Sequence, residues 1–214
     1  MISTNLTFSN AANGPLNLST IAKQAPSSTK LKSVLAAFIL LLLLFTSTHL
    51  MKFPGSVANL MSVTSGQKTL DLQASFSNTD TYNRLEAFGE VGRAAYIRTI
   101  LTVDLIFPLS MFLFLFLLAK YTSQQAGFRL NKVLRIFPFA YLALDFLENL
   151  FILILLSNFP ESLEFLGSFV GYLTIGKRAS MILALLMPTL IFSGRKLYSL
   201  YEKRPNHKEM NSGY

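Results

Sequence analysis

The chain has 214 residues; 51% are hydrophobic and only 14% charged, against roughly 25% charged in an ordinary soluble domain. The net charge is +8 without any RNA- or DNA-binding motif, so the excess reads as membrane topology and not as a nucleic-acid surface. There is no cysteine, which excludes disulfides, thiol redox chemistry and Cys-based metal sites.

The apolar residues fall in four blocks, each close to the roughly 20 residues a helix needs to cross a bilayer. The expected fold class is therefore an all-α membrane protein. It would be a four-transmembrane-helix bundle with a short amphipathic helix in the first extracytoplasmic segment. Residues 1–33 hold Ser, Thr and Asn without periodicity and read as a disordered cytoplasmic tail. The first span, 34–51, is almost pure Leu between Ile39 and Phe45, and its long polar lead marks an uncleaved anchor.

Residues 52–98 form the longest polar segment. Leu70, Leu72, Ala74 and Phe76 alternate with polar residues, which predicts a short extended stretch. Ser77 and Asp80 have the spacing of a capping box: the Ser77 hydroxyl accepts from the Asp80 N–H, and the Asp80 carboxylate reaches back. Tyr82, Leu85 and Phe88 then share one helical face, and Gly89 ends the helix.

The second span covers 99–119, in a helix starting near Glu90. The third covers 136–156, with Pro138 in its first turn, where a missing N–H is harmless. The fourth covers 166–192, so that 34–193 is one transmembrane domain and 194–214 a basic tail. Charge fixes the orientation. Lys23, Lys30 and Lys32 precede span one; Lys120, Arg129, Lys132 and Arg135 join spans two and three without an acid; Arg195, Lys196, Lys203, Arg204 and Lys208 follow span four. The loop between spans three and four carries only Glu161 and Glu164. Both termini and the middle loop then face the cytoplasm, across a plasma or inner membrane.

Ionisable groups in hydrocarbon cost at least about 2.5–3.5 kcal/mol each and need partners or a wet cavity. Asp145, Glu148 and Asn149, spaced i, i+3, i+4, share one face of span three. Glu148 and Lys177 each lie roughly 13–16 Å below the outer ends of their spans, so they sit level with each other. A buried cluster of Asp145, Glu148 and Asn149 against Lys177 follows. On span two, Arg93 and Asp104 are eleven residues apart and point the same way. Pro108 removes the helical bond to the carbonyl of residue 104, leaving it free beside an intramembrane acid: a candidate pocket wall.

Gly167 and Gly171 form a GxxxG on span four, a surface for close helix packing within the chain or for a homodimer. HExxH, GxSxG and Walker patterns are absent, and His49 and His207 lie far apart in sequence, so no cofactor or metal is expected.

The spacings Tyr82-x2-Leu85-x3-Gly89-x2-Gly92-Arg93-x2-Tyr96-x7-Asp104-x3-Pro108, then Asp145-x2-Glu148-Asn149, then Lys177 run through spans two to four. This pattern resembles a family of small four-span integral membrane proteins of bacteria and some eukaryotes, described only as uncharacterised. The resemblance implies that the polar cluster belongs to a family pattern, and it implies no activity. The ligand-pocket candidates are Arg93, Tyr96, Asp104, Asp145, Glu148, Asn149 and Lys177, with membrane lipids as the expected partners. The expected function is a non-enzymatic membrane protein whose ionic cluster shapes a pocket. An intramembrane enzyme acting on a lipid or isoprenoid, and a small proton-coupled transporter, are the alternatives.

Overall fold

The computed structural model describes residues 28–123 and 128–202. Within them the chain forms α1 (Ser28–Leu50), α2 (Val57–Val63), α3 (Asn78–Ala87), α4 (Gly89–Thr122), α5 (Phe128–Asn158) and α6 (Glu164–Glu202), with no strand. Four of these, α1, α4, α5 and α6, hold stretches long and apolar enough to cross a membrane. Their outward faces carry bare Leu, Ile and Phe: Leu43 is 61% exposed, Leu101 58% and Leu190 64%. A water-soluble surface does not carry apolar patches of that extent, whereas a hydrocarbon surround removes their cost.

The four long helices outrun their expected spans. The disordered tail assigned to 1–33 gives way to helix at Ser28, and residues 1–27 lie outside the described residues. Helix α6 continues through the start of the basic tail to Glu202; residues 203–214 lie outside the described residues. Helix α5 begins at Phe128, so Pro138 sits inside it and not in its first turn. The expected boundaries followed hydropathy, and a helix does not stop where the hydrocarbon does: polar residues such as Lys132 and Lys196 continue it on propensity.

The segment between α1 and α4, named the outer segment after the side expected from charge, departs further from expectation. The alternation from Leu70 to Phe76 builds no extended stretch. The Thr69 carbonyl accepts from the amides of Leu72 and Gln73, closing a turn that buries Leu70 and leaves Leu72 exposed. The short helix α2, with Ser56 as its N-cap accepting from the Asn59 amide at 3.1 Å, was not anticipated. Ser77 does cap α3, accepting from the Asp80 amide at 3.1 Å. The reciprocal half of the box is replaced, because the Asp80 carboxylate pairs with Arg84 one turn on, at 2.6 Å. Gly89 adopts φ +63°, the left-handed conformation that lets α3 end and α4 begin without a linker.

This segment is tied down on α6 and on the α5–α6 loop. The Thr81 hydroxyl donates to the Gly167 carbonyl at 2.7 Å, the Asn78 amide to the Ser162 hydroxyl at 2.7 Å, and the Tyr82 hydroxyl to the Glu161 carbonyl at 2.6 Å. The groove opened by Gly167 and Gly171 is therefore filled by the chain itself. A Cβ at Gly171 would run into the backbone carbonyl of Ser75, and one at Gly167 into the Asn78 side chain. Below the segment, Leu70, Leu85, Tyr96, Ile152 and Val170 form the outer core, while Leu115, Tyr141 and Ala184, with Phe114 and Phe137 against them, fill the inner half.

Candidate functional site

The expected pairing between α5 and α6 is present. Lys177 Nζ lies 3.0 Å from Asp145 Oδ1 and also contacts Glu148 Oε2. Asp145 is 5% exposed and Glu148 0%, so this is a buried ion cluster of one ammonium with two carboxylates. Such a cluster is tolerable only where its remaining lone pairs find donors. Thr174, one turn before Lys177, donates its hydroxyl to Glu148 Oε1, and Asn149 donates to Asp145 Oδ2 at 3.1 Å.

Asn149 has a second role. Its Nδ2 also donates to the backbone carbonyl of Asp104, at 3.2 Å. That carbonyl is the one Pro108 leaves without its helical partner. A buried carbonyl without a partner costs about 1–3 kcal/mol, and the amide of Asn149 removes that cost while fixing α4 against α5.

Next to this joint lies a cavity of about 330 Å³, within the range of small-molecule sites. It sits under the outer segment and between the helices. Tyr96, Asp104, Asp145, Asn149 and Lys177 line it. Its walls are otherwise largely apolar, with Leu60 and Met61 from α2, Phe107 and Pro108 from α4, and Met181 from α6. Glu148 stands behind Lys177 and outside the wall.

Arg93 does not join this group. Its guanidinium stacks 4.0 Å from the centre of the Phe159 ring and donates to the Leu85 carbonyl at 3.0 Å. Eleven residues of helix carry it about 16 Å along the axis from Asp104, so a shared direction does not become a shared site.

Five further residues, none of them among the ligand-pocket candidates, take part. Asp71 accepts from the Tyr96 hydroxyl at 2.7 Å, and Arg178 donates to the carbonyls of Asp71 and Leu72 at 2.8 and 2.6 Å, holding the outer segment over the cavity. Tyr141 and His49 also face it. Helical spacing could have found Tyr141, four residues before Asp145, and Thr174, three before Lys177. Nothing in the sequence pointed Asp71 inward from a polar loop.

Among the described residues, no group of three or more His, Asp or Glu side chains is placed to hold a metal ion. The Asp104 carboxylate differs from its neighbours: it is half-buried and lines the cavity without an ion pair or hydrogen bond to its side-chain oxygens among the described residues. Comparison with protein-family models, curated proteins and solved structures finds no match to this chain. The site is accordingly defined by its own chemistry: a four-helix bundle apolar enough for a membrane, a buried Lys–carboxylate cluster, and a small polar-floored cavity beside it.

Proposed function

We propose that the chain is a polytopic integral membrane protein, with both termini in the cytoplasm, that binds a small ligand from the extracytoplasmic side without chemically changing it. The observation that carries this reading is the cavity of about 330 Å³ under the outer segment, apolar on its sides and floored by Asp104, Asp145, Asn149 and Lys177. The ion cluster acts as its frame: Lys177 is committed to Asp145 and Glu148, and is not free to move a proton or attack a substrate. The orientation rests on charge. The ends of α1, α4, α5 and α6 that meet Lys32, Lys120, Lys132, Arg135, Arg195 and Lys196 lie together, opposite the outer segment.

Reporter fusions test the orientation. Fusions after Met51 and Phe159 read outside, those after Ser123 and at the C-terminus inside; a cytoplasmic signal from the 52–88 segment would reverse it. Thr99 also lines the cavity, and mass spectrometry of small molecules retained by the protein, purified in mild detergent and compared with a cavity-filling Thr99→Phe variant, tests the binding. Identical profiles would end this reading.

An intramembrane enzyme acting on a lipid or isoprenoid is the second reading, favoured by one feature: the free Asp104 carboxylate is placed to give or take a proton inside the cavity. A product that accumulates with the wild type and not with Asp104→Asn would establish it. Proton-coupled transport finds less support, because the packed apolar cluster of Leu115, Tyr141, Ala184 and Phe114 lies between the cavity and the inner face.

A further inference from the structure

Acidic side chains outnumber basic ones around the site. Asp71, Asp104 and Asp145 line the cavity and Glu148 adjoins it, four carboxylates in all, while the cations present are Lys177 and Arg178. Lys177 is shared between two of the acids, and Arg178 donates from Nη2 to two backbone carbonyls and pairs with none of the acids among the described residues. Asp71 is stabilised by the Tyr96 hydroxyl. His49, at the cavity edge, is held by the Phe45 carbonyl and stacks on the Phe45 ring. Asp104 is left as a half-buried acid without a side-chain partner among the described residues, facing a space that a small molecule could fill.

The rings and thioethers around it narrow the chemistry. Phe107 is three residues on from Asp104, and Tyr96 and Tyr141 face the same space. Carboxylate beside aromatic faces is the combination that holds ammonium groups, through a charge-assisted hydrogen bond and attraction to the ring quadrupole. A carboxylate or phosphate ligand would meet the surplus acids and be repelled. A bare metal ion would find no set of three or more acid or imidazole ligands among the described residues.

Building on the binding reading above, we infer that the ligand is an organic cation: a protonated amine or quaternary ammonium on an apolar body, with its nitrogen against Asp104 and its body between Phe107, Tyr141 and Met181. Free amines and amine-headed lipids share this chemistry. The cavity volume of about 330 Å³ admits a compact amine whole, or the head of a lipid with its chain leaving the cavity.

The test is calorimetric titration of the purified protein in detergent with three probes of one shape: 4-phenylbutylamine, 4-phenylbutanol and 4-phenylbutanoate. The amine binds at least about tenfold more tightly than the alcohol, and the carboxylate most weakly. Asp104→Asn removes the preference for the amine, bringing its affinity down to about that of the alcohol. The same variant unfolds at no lower a temperature than the wild type without ligand, since it replaces an acid without a side-chain partner by a neutral isostere. That result shows that the variant is folded. Dihexanoyl phosphatidylethanolamine as a competitor separates the sources: displacement of the amine indicates a lipid headgroup, and no displacement a free amine. Equal binding of amine and alcohol, unaffected by Asp104→Asn, would overturn the cation inference and leave the pocket standing. Absence of binding by all three probes, to the wild type and to Asp104→Asn, would overturn both. Lower thermal stability of Asp104→Asn would mean that the acid already has a partner, and would also defeat the inference.

Discussion

The outer and inner halves of the bundle are built on different physics. In the inner half, Leu115, Tyr141 and Ala184 pack with Met111, Phe114, Phe137 and Leu142 in a cluster whose only polar handle is a phenol. In the outer half, Asp104, Asp145, Glu148, Asn149 and Lys177 occupy the same helices, and a polar segment is folded over them. A membrane bundle can be held together by packing alone, as the inner half demonstrates, and interhelical polar contacts contribute only about 0.6 kcal/mol each on average. The concentration of costly groups at one level, around a space, is therefore poorly explained by adhesion between helices. Under the binding reading proposed above, these groups frame the cavity.

The largest expected effect tests whether the outer half depends on its charges. Lys177→Met leaves Asp145 and Glu148 facing each other without compensation, at a cost of about 3–5 kcal/mol. Thermal unfolding in detergent will show a large loss. Adding Glu148→Gln or Asp145→Asn recovers part of it, because one stranded acid becomes neutral. Double variants no more stable than Lys177→Met alone would show that the groups are uncoupled, and the contrast between the halves would collapse.

A second expected effect concerns how the outer half is closed. Gly171→Ala forces a methyl into the Ser75 backbone carbonyl, which cannot rotate away, and overpacking of that kind costs about 1–3 kcal/mol. Faster proteolysis between α1 and α4 would accompany the loss of stability. If instead the variant keeps its stability and changes oligomeric state, the glycines serve an interface between copies, as the GxxxG spacing alone suggested.

Much of this arrangement was legible in the sequence, for physical reasons. Hydropathy blocks reveal spans, and i, i+3, i+4 spacing reveals a shared face, so the Asp145–Glu148–Asn149 group opposite Lys177 could be read directly. The freed carbonyl at residue 104 was also readable, because proline removes one known bond. Its acceptance of a bond from Asn149 was not, since that needs the distance between two helices. Helix ends were misjudged where polar residues carry the helix past the hydrocarbon. The turn at Leu70–Leu72 was misread because alternation describes a strand only if a partner strand exists, and here Arg178, more than a hundred residues away in sequence, takes the carbonyls instead.

A smaller effect sharpens the role of Asn149 as the joint between α4 and α5. Asn149→Leu strands the Asp104 carbonyl and costs about 1–2 kcal/mol. Pro108→Ala restores an N–H one helical turn on, so the double variant regains most of that loss by denaturant or thermal titration. No recovery would mean that Asn149 matters through Asp145 alone.

The smallest effect lies outside the membrane, and it separates the outer segment from the buried cluster. Asp80 accepts from Arg84, and its carboxyl is held below the usual carboxylate range, chiefly by a hydrogen bond from Ser75 and next by Arg84, against the opposing effect of partial burial. A carboxyl with a lowered folded-state value contributes stability above its unfolded value of about 3.9, and that contribution disappears as the pH falls through the folded value. The group is about half exposed, at 49%, so solvent screening discounts the pair to no more than about 0.5 kcal/mol. Asp80→Asn should therefore lower stability slightly at pH 7, and the difference from wild type should shrink on acidification below about pH 3.9 and vanish once Asp80 is protonated in the fold. Raised salt should shrink it as well, since the pair is open to solvent. A difference that persists in acid would assign the effect to the start of α3, where the Ser77 cap acts whatever the charge on Asp80.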